Sequence, residues 1–447
     1  MKSLKKYLTA IVLSVFFLLG GGWWFFATWG ETEKPLALFG GDLRTMGRQK
    51  TINITFADLN SGLRNISVAI IQDNKSHVLA AEAFPKKGIK QIKLSLPVAV
   101  SDLKLHGGQA TLRVVAVDYS LFKNEITIER PISIDLIPPQ IYLLTSTNNI
   151  NPGGCCLVAF STSEPTVTSG VQVNNNFSSA YPAIFTGKPA NVAYFGLPMV
   201  ARGEGINIRI VARDAGENET SITLPTLIRM KKFRNDKMQL SDKFLNQKMP
   251  DFQPLPPELQ GKSPLEIFGY VNGQLRLANE TTLRELCRQS DPRQLWEGTF
   301  LRMKDASPMA QFGDRRTYIY GKRVIGESVH LGVDLASLVN APVEASNNGI
   351  VEYAGNLGIY GNAILVDHGQ GIFSIYGHLS VINVQAGQRL KKGDVMGKTG
   401  ATGLAAGDHL HFGLLVGGQF VNPVEWWDPH WIKDNITDKL NGLGVKG

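Results

Sequence analysis

Six of the eight histidines in this 447-residue chain fall after Ser328, and that crowding constrains the fold more than any other feature. Three short segments carry four of them: His330-Leu331-Gly332-Val333-Asp334, Tyr376-Gly377-His378-Leu379 and His409-Leu410-His411-Phe412. In the third, the two-residue period of a strand puts Leu410, Phe412 and Leu414 on one face, which leaves His409 and His411 on the other. His330 and Asp334 stand an even number of residues apart in an apolar stretch, so an extended backbone aims both side chains the same way, and Gly332 between them leaves room for a ligand. A catalytic zinc takes three protein ligands and keeps a fourth position for water. His330, Asp334, His378, His409 and His411 are five candidates, enough for three ligands with two histidines left over. Zinc lowers the pKa of its water and polarises a carbonyl while an imidazole moves the proton, a combination suited to amide hydrolysis. A lone His-x-His is commonplace; three such segments in order are not.

At the other end, Lys2, Lys5 and Lys6 precede a run from Tyr7 to Trp29 without a charged residue. As a helix this run spans roughly 35 Å, enough to cross a bilayer, with Tyr7, Trp23, Trp24 and Trp29 placed as interfacial anchors. The lysines keep the N-terminus in the cytoplasm and the rest is exported. A cleaved signal peptide ending near Gly20–Gly22 is the competing reading, but Trp23 to Phe26 continue the apolar run past that zone. The three cysteines cannot form a disulfide framework. The net charge of +8 suits an anionic partner, but no basic block points to nucleic acid. Hydrophobic residues at 43% exclude a disordered chain.

Glycine at 46 residues and proline at 22 favour turns and short strands. Alternating runs such as Thr51 to Phe56 and Leu112 to Val117 read as antiparallel strands with one buried face. A second such stretch follows from about Pro139 to Pro225. The two share an ending, Val114-Val115-Ala116-Val117-Asp118 with Asn124 against Ile210-Val211-Ala212-Arg213-Asp214 with Asn218, which makes a repeat of domain size and looks like the last hairpin of an immunoglobulin-like sandwich. Asp and Asn there serve the turn. From Arg229 to Phe300 a basic opening, a proline-rich break at Pro250 to Pro257 and the helical pattern Thr282 to Arg288 read as short helices in an extended connector.

The stretch from about Phe312 to Trp427 resembles the LytM/lysostaphin-type zinc peptidases, family M23 of the peptidoglycan endopeptidases. The resemblance lies in the three histidine segments together with Gly349-Ile350-Val351, Gly358 to Asn362, Val366-Asp367-His368-Gly369, Gly387-Gln388, Lys392-Gly393-Asp394, Gly397 through Gly403 and Val421-Asn422-Pro423. It implies one zinc per chain bound by His330, Asp334 and His411, with His378 and His409 as the catalytic histidines beside it. One takes the proton from the zinc-bound water and the other holds the developing oxyanion. A tyrosine often helps in this family, and Tyr318, Tyr320 and Tyr360 are the candidates. His368 supports the site in its Asp-His-Gly turn, and His77, His106 and His430 have no ligand partners by spacing. Gly413 and Asp408 depart from the usual residues beside the pair without removing a ligand. Phe312-Gly313-Asp314-Arg315-Arg316 resembles the Phe-Gly-x-Arg start of the domain, its arginines either structural or facing an acidic wall peptide.

The expectation is therefore a mainly β chain. Residues 1–34 are a cytoplasmic stub and transmembrane helix, 35–137 and 138–228 two immunoglobulin-like β-sandwich modules, 229–300 a partly helical connector, 301–430 a β-rich LytM-type peptidase domain and 431–447 a tail. Its expected function is membrane-anchored zinc metalloendopeptidase of peptidoglycan, single-pass in the bacterial inner membrane with the C-terminal domains in the periplasm. The β modules are surfaces for envelope protein partners, and nucleic acid is not a partner. A non-catalytic scaffold of the same fold, binding wall or activating a separate amidase, is the alternative; such scaffolds typically lack a ligand or catalytic histidine, and here all five positions are filled.

Overall fold

A computed structural model describes residues 14, 15, 17–23, 31–145, 148–199 and 205–442. The uncharged run Tyr7 to Trp29 lies largely outside them, and among the described residues no helix is long and apolar enough to cross a membrane. The chain forms two compact units, one of residues 1–139 with 165–167 and 213–219, the other of 140–164 with 168–212 and 220–447.

In the first unit, strand Gln49–Ala57 pairs with Leu36–Gly40 on one edge and Gln91–Ala99 on the other. A second sheet runs in the order Thr45–Met46, Glu125–Ile134, Gly108–Asp118, Leu63–Gln72, Lys75–Ala83. Period-two alternation decides what points inward: Ile52, Ile54 and Phe56 meet Val68, Ile70, Leu112 and Val114 in one core. Each such buried side chain contributes about 1.5–3 kcal/mol. Asn124 Nδ2 donates to Asp118 Oδ2 at 2.7 Å, and Asn218 Nδ2 to Asp214 Oδ2 at 3.0 Å. The repeated Asp/Asn pair thus closes the same turn twice, as the sequence suggests.

The second unit holds the β stretch from residue 140, the connector and the histidine-bearing C-terminal third. Strand Cys155–Thr162 lies between Lys188–Gly196 and Ile141–Leu143, and here the expectation of one buried face per strand fails. Cys156, Val158 and Phe160 enter a core with Val171 and Ile210. Cys155, Leu157 and Ala159, on the opposite face, join a larger core with Phe420 and Trp426 from the C-terminal region. Trp426 Nε1 donates to Cys155 Sγ at 3.2 Å, and Glu425 accepts from the Cys155 backbone N–H at 3.1 Å. A strand buried on both faces shows near-continuous apolar residues, which is what Cys155 to Phe160 are.

The connector is not an extended spacer. Helices Asp242–Lys248, Pro264–Tyr270 and Arg276–Leu286, the last two joined by a π-helical turn at Val271–Leu275, bury Leu245, Phe268, Val271 and Leu283 in that larger core. Ser263 starts one of them with a capping box to Glu266 and Pro264 at the first position. Residues expected as a C-terminal tail form helical turns whose Ile432 and Ile436 are also buried there.

The C-terminal third is built on an antiparallel sheet in the order Ser307–Ala310, Val333–Ala336, Leu410–Val416, Ile372–Leu379, Asn362–Asp367, Gly349–Asn356, Arg389–Leu390. Its register sets the site: Asp334 lies directly opposite His411, and His411 directly opposite Gly377. Three distant stretches of sequence therefore meet on adjacent strands.

Candidate metal centre

Leu410, Phe412 and Leu414 are buried in the core, so the neighbouring His411 points to the other face, as the strand period requires. His409 stands just before the strand, bridged to Gly400. His330 precedes strand Val333–Ala336 rather than lying in it. The stretch Phe312 to Asp314 clasps it: His330 N–H donates to the Asp314 carbonyl at 2.9 Å, and Gly313 N–H to the His330 carbonyl at 2.8 Å.

The three side chains converge. His330 Nε2 lies 2.9 Å from Asp334 Oδ1 and 3.0 Å from His411 Nδ1, and these last two atoms are 3.0 Å apart. All three residues are buried. His330 Nδ1 donates to the Gln311 carbonyl at 3.0 Å, which turns its Nε2 inward. A carboxylate oxygen and imidazole nitrogens then face one another with too few protons to bridge every edge of the triangle. A divalent cation satisfies all three at once, and a His/His/Asp set is a zinc-type donor set. The residues fit a metal.

Electrostatics agree. Burial alone would raise the Asp334 carboxyl, but the surrounding histidines, His330 first, hold it well below the usual range. Burial pushes the His411 ring down to about 4. Arg316 Nη2 bonds the other oxygen, Asp334 Oδ2, at 3.2 Å, which leaves Oδ1 for the metal group. Of the two arginines, Arg316 faces a proposed ligand and Arg315 is exposed.

Gly332 has a different reason from the one expected. Its missing Cβ leaves no free space, because a Cβ there would meet Cε1 and Nε2 of His411 and the Phe412 carbonyl oxygen, each at 2.6 Å. Glycine makes room for the His411 ring, not for a ligand. His411 Nε2 has no hydrogen-bond partner among the described residues. The Nε2 end of the ring is thus placed by packing, against Gly332 and edge-to-face with Tyr360 at 5.4 Å, while Nδ1 faces Asp334 and His330.

His378 and His409 sit beside the triangle with ring centroids 4.8 Å apart, and His378 is 5.8 Å from His411. His378 Nδ1 donates to the Thr402 carbonyl and His409 Nδ1 to the Gly407 carbonyl, both at 2.8 Å, so Nε2 of each ring is left for the site. Burial holds His378 well below its ordinary pKa. Against burial, the Asp334 carboxylate raises His409. His378 has φ +64°, a left-handed conformation that costs a non-glycine residue on the order of 1 kcal/mol and is typical of functional positions. Gly361, with φ +63°, lets its turn pack directly on Thr402, whose carbonyl orients His378.

The other singled-out residues separate cleanly. His368 is a core residue: its nitrogens lie 2.7 Å from the Asn348 carbonyl and from Ser374 Oγ, and burial lowers its pKa to about 4. Its support is of the strand that carries His378. Tyr318 and Tyr360 line the cleft, while Tyr320 donates to Asp242 Oδ1 at 2.7 Å outside it. His106 pairs with Asp73 at the surface. The connector residues in the cleft wall, among them Leu240, Phe244 and Arg276, are what sequence reasoning missed. The capping box at Ser263 marked a helix there but carried no sign of where the helix would dock.

Comparison with known proteins places this geometry. Residues 328–423 match Peptidase family M23. Over 96 residues, 22% of this chain and 22% of the relative, the sequence is 41% identical to the DD-carboxypeptidase/endopeptidase Mpg of Neisseria meningitidis. Over 116 residues, 26% of each, it is 36% identical to the peptidoglycan DD-endopeptidase ShyA of Vibrio cholerae. Among solved structures, the catalytic domain of lysostaphin from Staphylococcus simulans matches at 28% identity with a TM-score of 0.25, over 29% of this chain and 98% of that one. The chain spans about a quarter of the length of the curated relatives it matches. All five residues of the converging site fall within residues 328–423, the segment that matches peptidase family M23.

Proposed function

We propose that this chain is a zinc metalloendopeptidase that hydrolyses peptide cross-links of bacterial peptidoglycan. The observation that carries the reading is the triangle of His330 Nε2, Asp334 Oδ1 and His411 Nδ1, a donor set without enough protons to exist comfortably alone. These three residues would hold one zinc ion, which when bound acidifies a water and polarises the scissile carbonyl. His378 and His409, each anchored through Nδ1, present Nε2 to the reacting amide. One accepts the water's proton and passes it to the leaving amine, and the other, protonated on both nitrogens, donates a hydrogen bond from Nε2 to the developing oxyanion. The names of the relatives, both DD-endopeptidases, support a bond between D-amino acids.

The uncharged run Tyr7 to Trp29 serves as a single membrane anchor with the lysines in the cytoplasm, which puts the catalytic region in the periplasm within reach of the wall. The two β modules, 35–137 and 138–228, are immunoglobulin-like and serve as a stalk and as surfaces for envelope partners. The remaining boundaries are those of the connector at 229–300, the peptidase domain at 301–430 and the C-terminal segment at 431–447. The test is digestion of purified peptidoglycan by the zinc-loaded chain, with products identified by mass spectrometry. Cleaved cross-links that vanish with His330→Ala support the proposal. Zinc binding without any released fragment refutes it in favour of a wall-binding scaffold.

A further inference from the structure

The cleft beside the metal group has a volume of about 310 Å³, and its charged lining, the histidines aside, consists of Arg276, Arg316 and Asp334. Arg316 is already committed to Asp334. Arg276 is not part of the matched segment; it comes from the connector, at the start of helix Arg276–Leu286. Among the described residues it makes no ion pair. Its Nε donates to the Asn272 carbonyl at 3.3 Å and its Nη2 to Asn272 Oδ1 at 3.1 Å. Asn272 is itself buried and fixed, since its Nδ2 donates to the Glu327 carbonyl at 3.2 Å. Asn272 lies in, and Arg276 directly follows, the π-helical turn Val271–Leu275, a widening of the helix that recurs at functional sites. Glu280 stands one turn on, and its carboxylate feels the charges of both Arg276 and Arg284, so it balances neither of them alone. What results is a guanidinium in the wall of the cleft, held by a buried amide through two of its five N–H groups, in a cleft whose lining carboxylate, Asp334, is already paired with Arg316.

We propose that Arg276 is a specificity-determining residue, which recognises a free carboxylate on the peptide beside the scissile amide. The inference rests on the peptidase reading and deepens it: the substrate is an acidic peptide, and the connector, not only the matched domain, selects it. Guanidinium and carboxylate match in a fork of two parallel hydrogen bonds, and lysine offers only part of that.

The test compares two fluorescein-labelled cross-linked peptides, one with free carboxylates on the residues flanking the scissile amide and one with carboxamides there. Binding and zinc-dependent cleavage are measured with the full chain, Arg276→Gln and Arg276→Lys. The native chain should bind the carboxylate peptide about tenfold more tightly, the worth of one charge-assisted hydrogen bond. Arg276→Gln should bind both alike and show the loss in KM rather than kcat, and Arg276→Lys should keep part of the preference. Equal binding of the two peptides by the native chain overturns the assignment, with no variant needed. An equal loss for both peptides in Arg276→Gln overturns it too, since a merely structural role predicts that. If the preference holds in binding but the zinc-loaded chain releases no fragment, Arg276 keeps its role and the hydrolytic reading falls instead.

Discussion

Replacing Gly332 by alanine places one methyl group where three atoms already stand. The new Cβ would lie 2.6 Å from Cε1 and Nε2 of His411 and from the Phe412 carbonyl oxygen, against an ordinary contact that begins at 3.4 Å, an overlap of 0.8 Å (3.4 − 2.6). The carbonyl cannot retreat easily, because Phe412 is paired with Val333 in the sheet. The ring has no hydrogen bond at Nε2 to hold it, so the ring moves. Metal sites tolerate ligand displacements of about 0.2 Å, and a shift several times larger removes His411 from the group. We expect zinc affinity to fall by more than about tenfold, the loss typical of disturbing a group that merely orients a ligand. Overpacking should also cost about 1–3 kcal/mol of stability. Competition with a chromophoric chelator gives the first quantity and urea unfolding of the metal-free chain the second. Gly269→Ala is the control, because a Cβ there meets nothing within 4 Å. Zinc affinity in Gly332→Ala equal to that of the native chain would refute the claim that close packing against Gly332 helps position His411.

Other outcomes follow from the same geometry. His368 is buried neutral with its pKa lowered from 6.5 to about 4, so the unfolded chain takes up its proton first as the pH falls. Stability from this residue is therefore whole above pH 6.5 and lost progressively down to pH 4, by about 3 kcal/mol in all; His368→Gln should flatten the urea-midpoint curve over that window, and unchanged curves would contradict the assignment. Arg316→Gln frees Asp334 Oδ2 and should weaken zinc binding by about 10–100-fold while circular dichroism stays the same. Leu157→Ala opens a cavity in the core shared by the second β stretch and the C-terminal third, at about 2–5 kcal/mol. Calorimetry should show the transition of the whole second unit lowered, whereas a shift confined to the β stretch would argue against a shared core.

The site was legible because its signal is local. A strand period places His411 opposite Leu410 and Phe412 whatever the rest of the chain does, and glycine-punctuated segments in a fixed order carried the resemblance that named His330, Asp334, His378 and His409. The roles of glycines and arginines were less legible. Gly332 reads as empty space in a sequence, and only the register that sets Asp334 against His411 shows which ring fills it. Docking was hidden for a similar reason. Cys155 to Phe160 are apolar on both faces, which period alone cannot distinguish from a strand with one loosely covered face, and the partner of its outer face, Trp426, is 271 residues away from Cys155. The connector's cleft-facing residues Leu240, Phe244 and Arg276 are ordinary helix and strand residues locally. Their position follows from tertiary packing of Phe268 and Leu283 into the common core.

The central claim is that the side chains of His330, Asp334 and His411 together grip one metal ion. Anomalous diffraction at the zinc edge, from crystals of the protein grown with zinc, tests it most directly. A single strong peak about 2.0–2.2 Å from His330 Nε2, Asp334 Oδ1 and His411 Nδ1 is the expected result. An anomalous map without density among those three atoms, or zinc held by other residues of the chain, would contradict it.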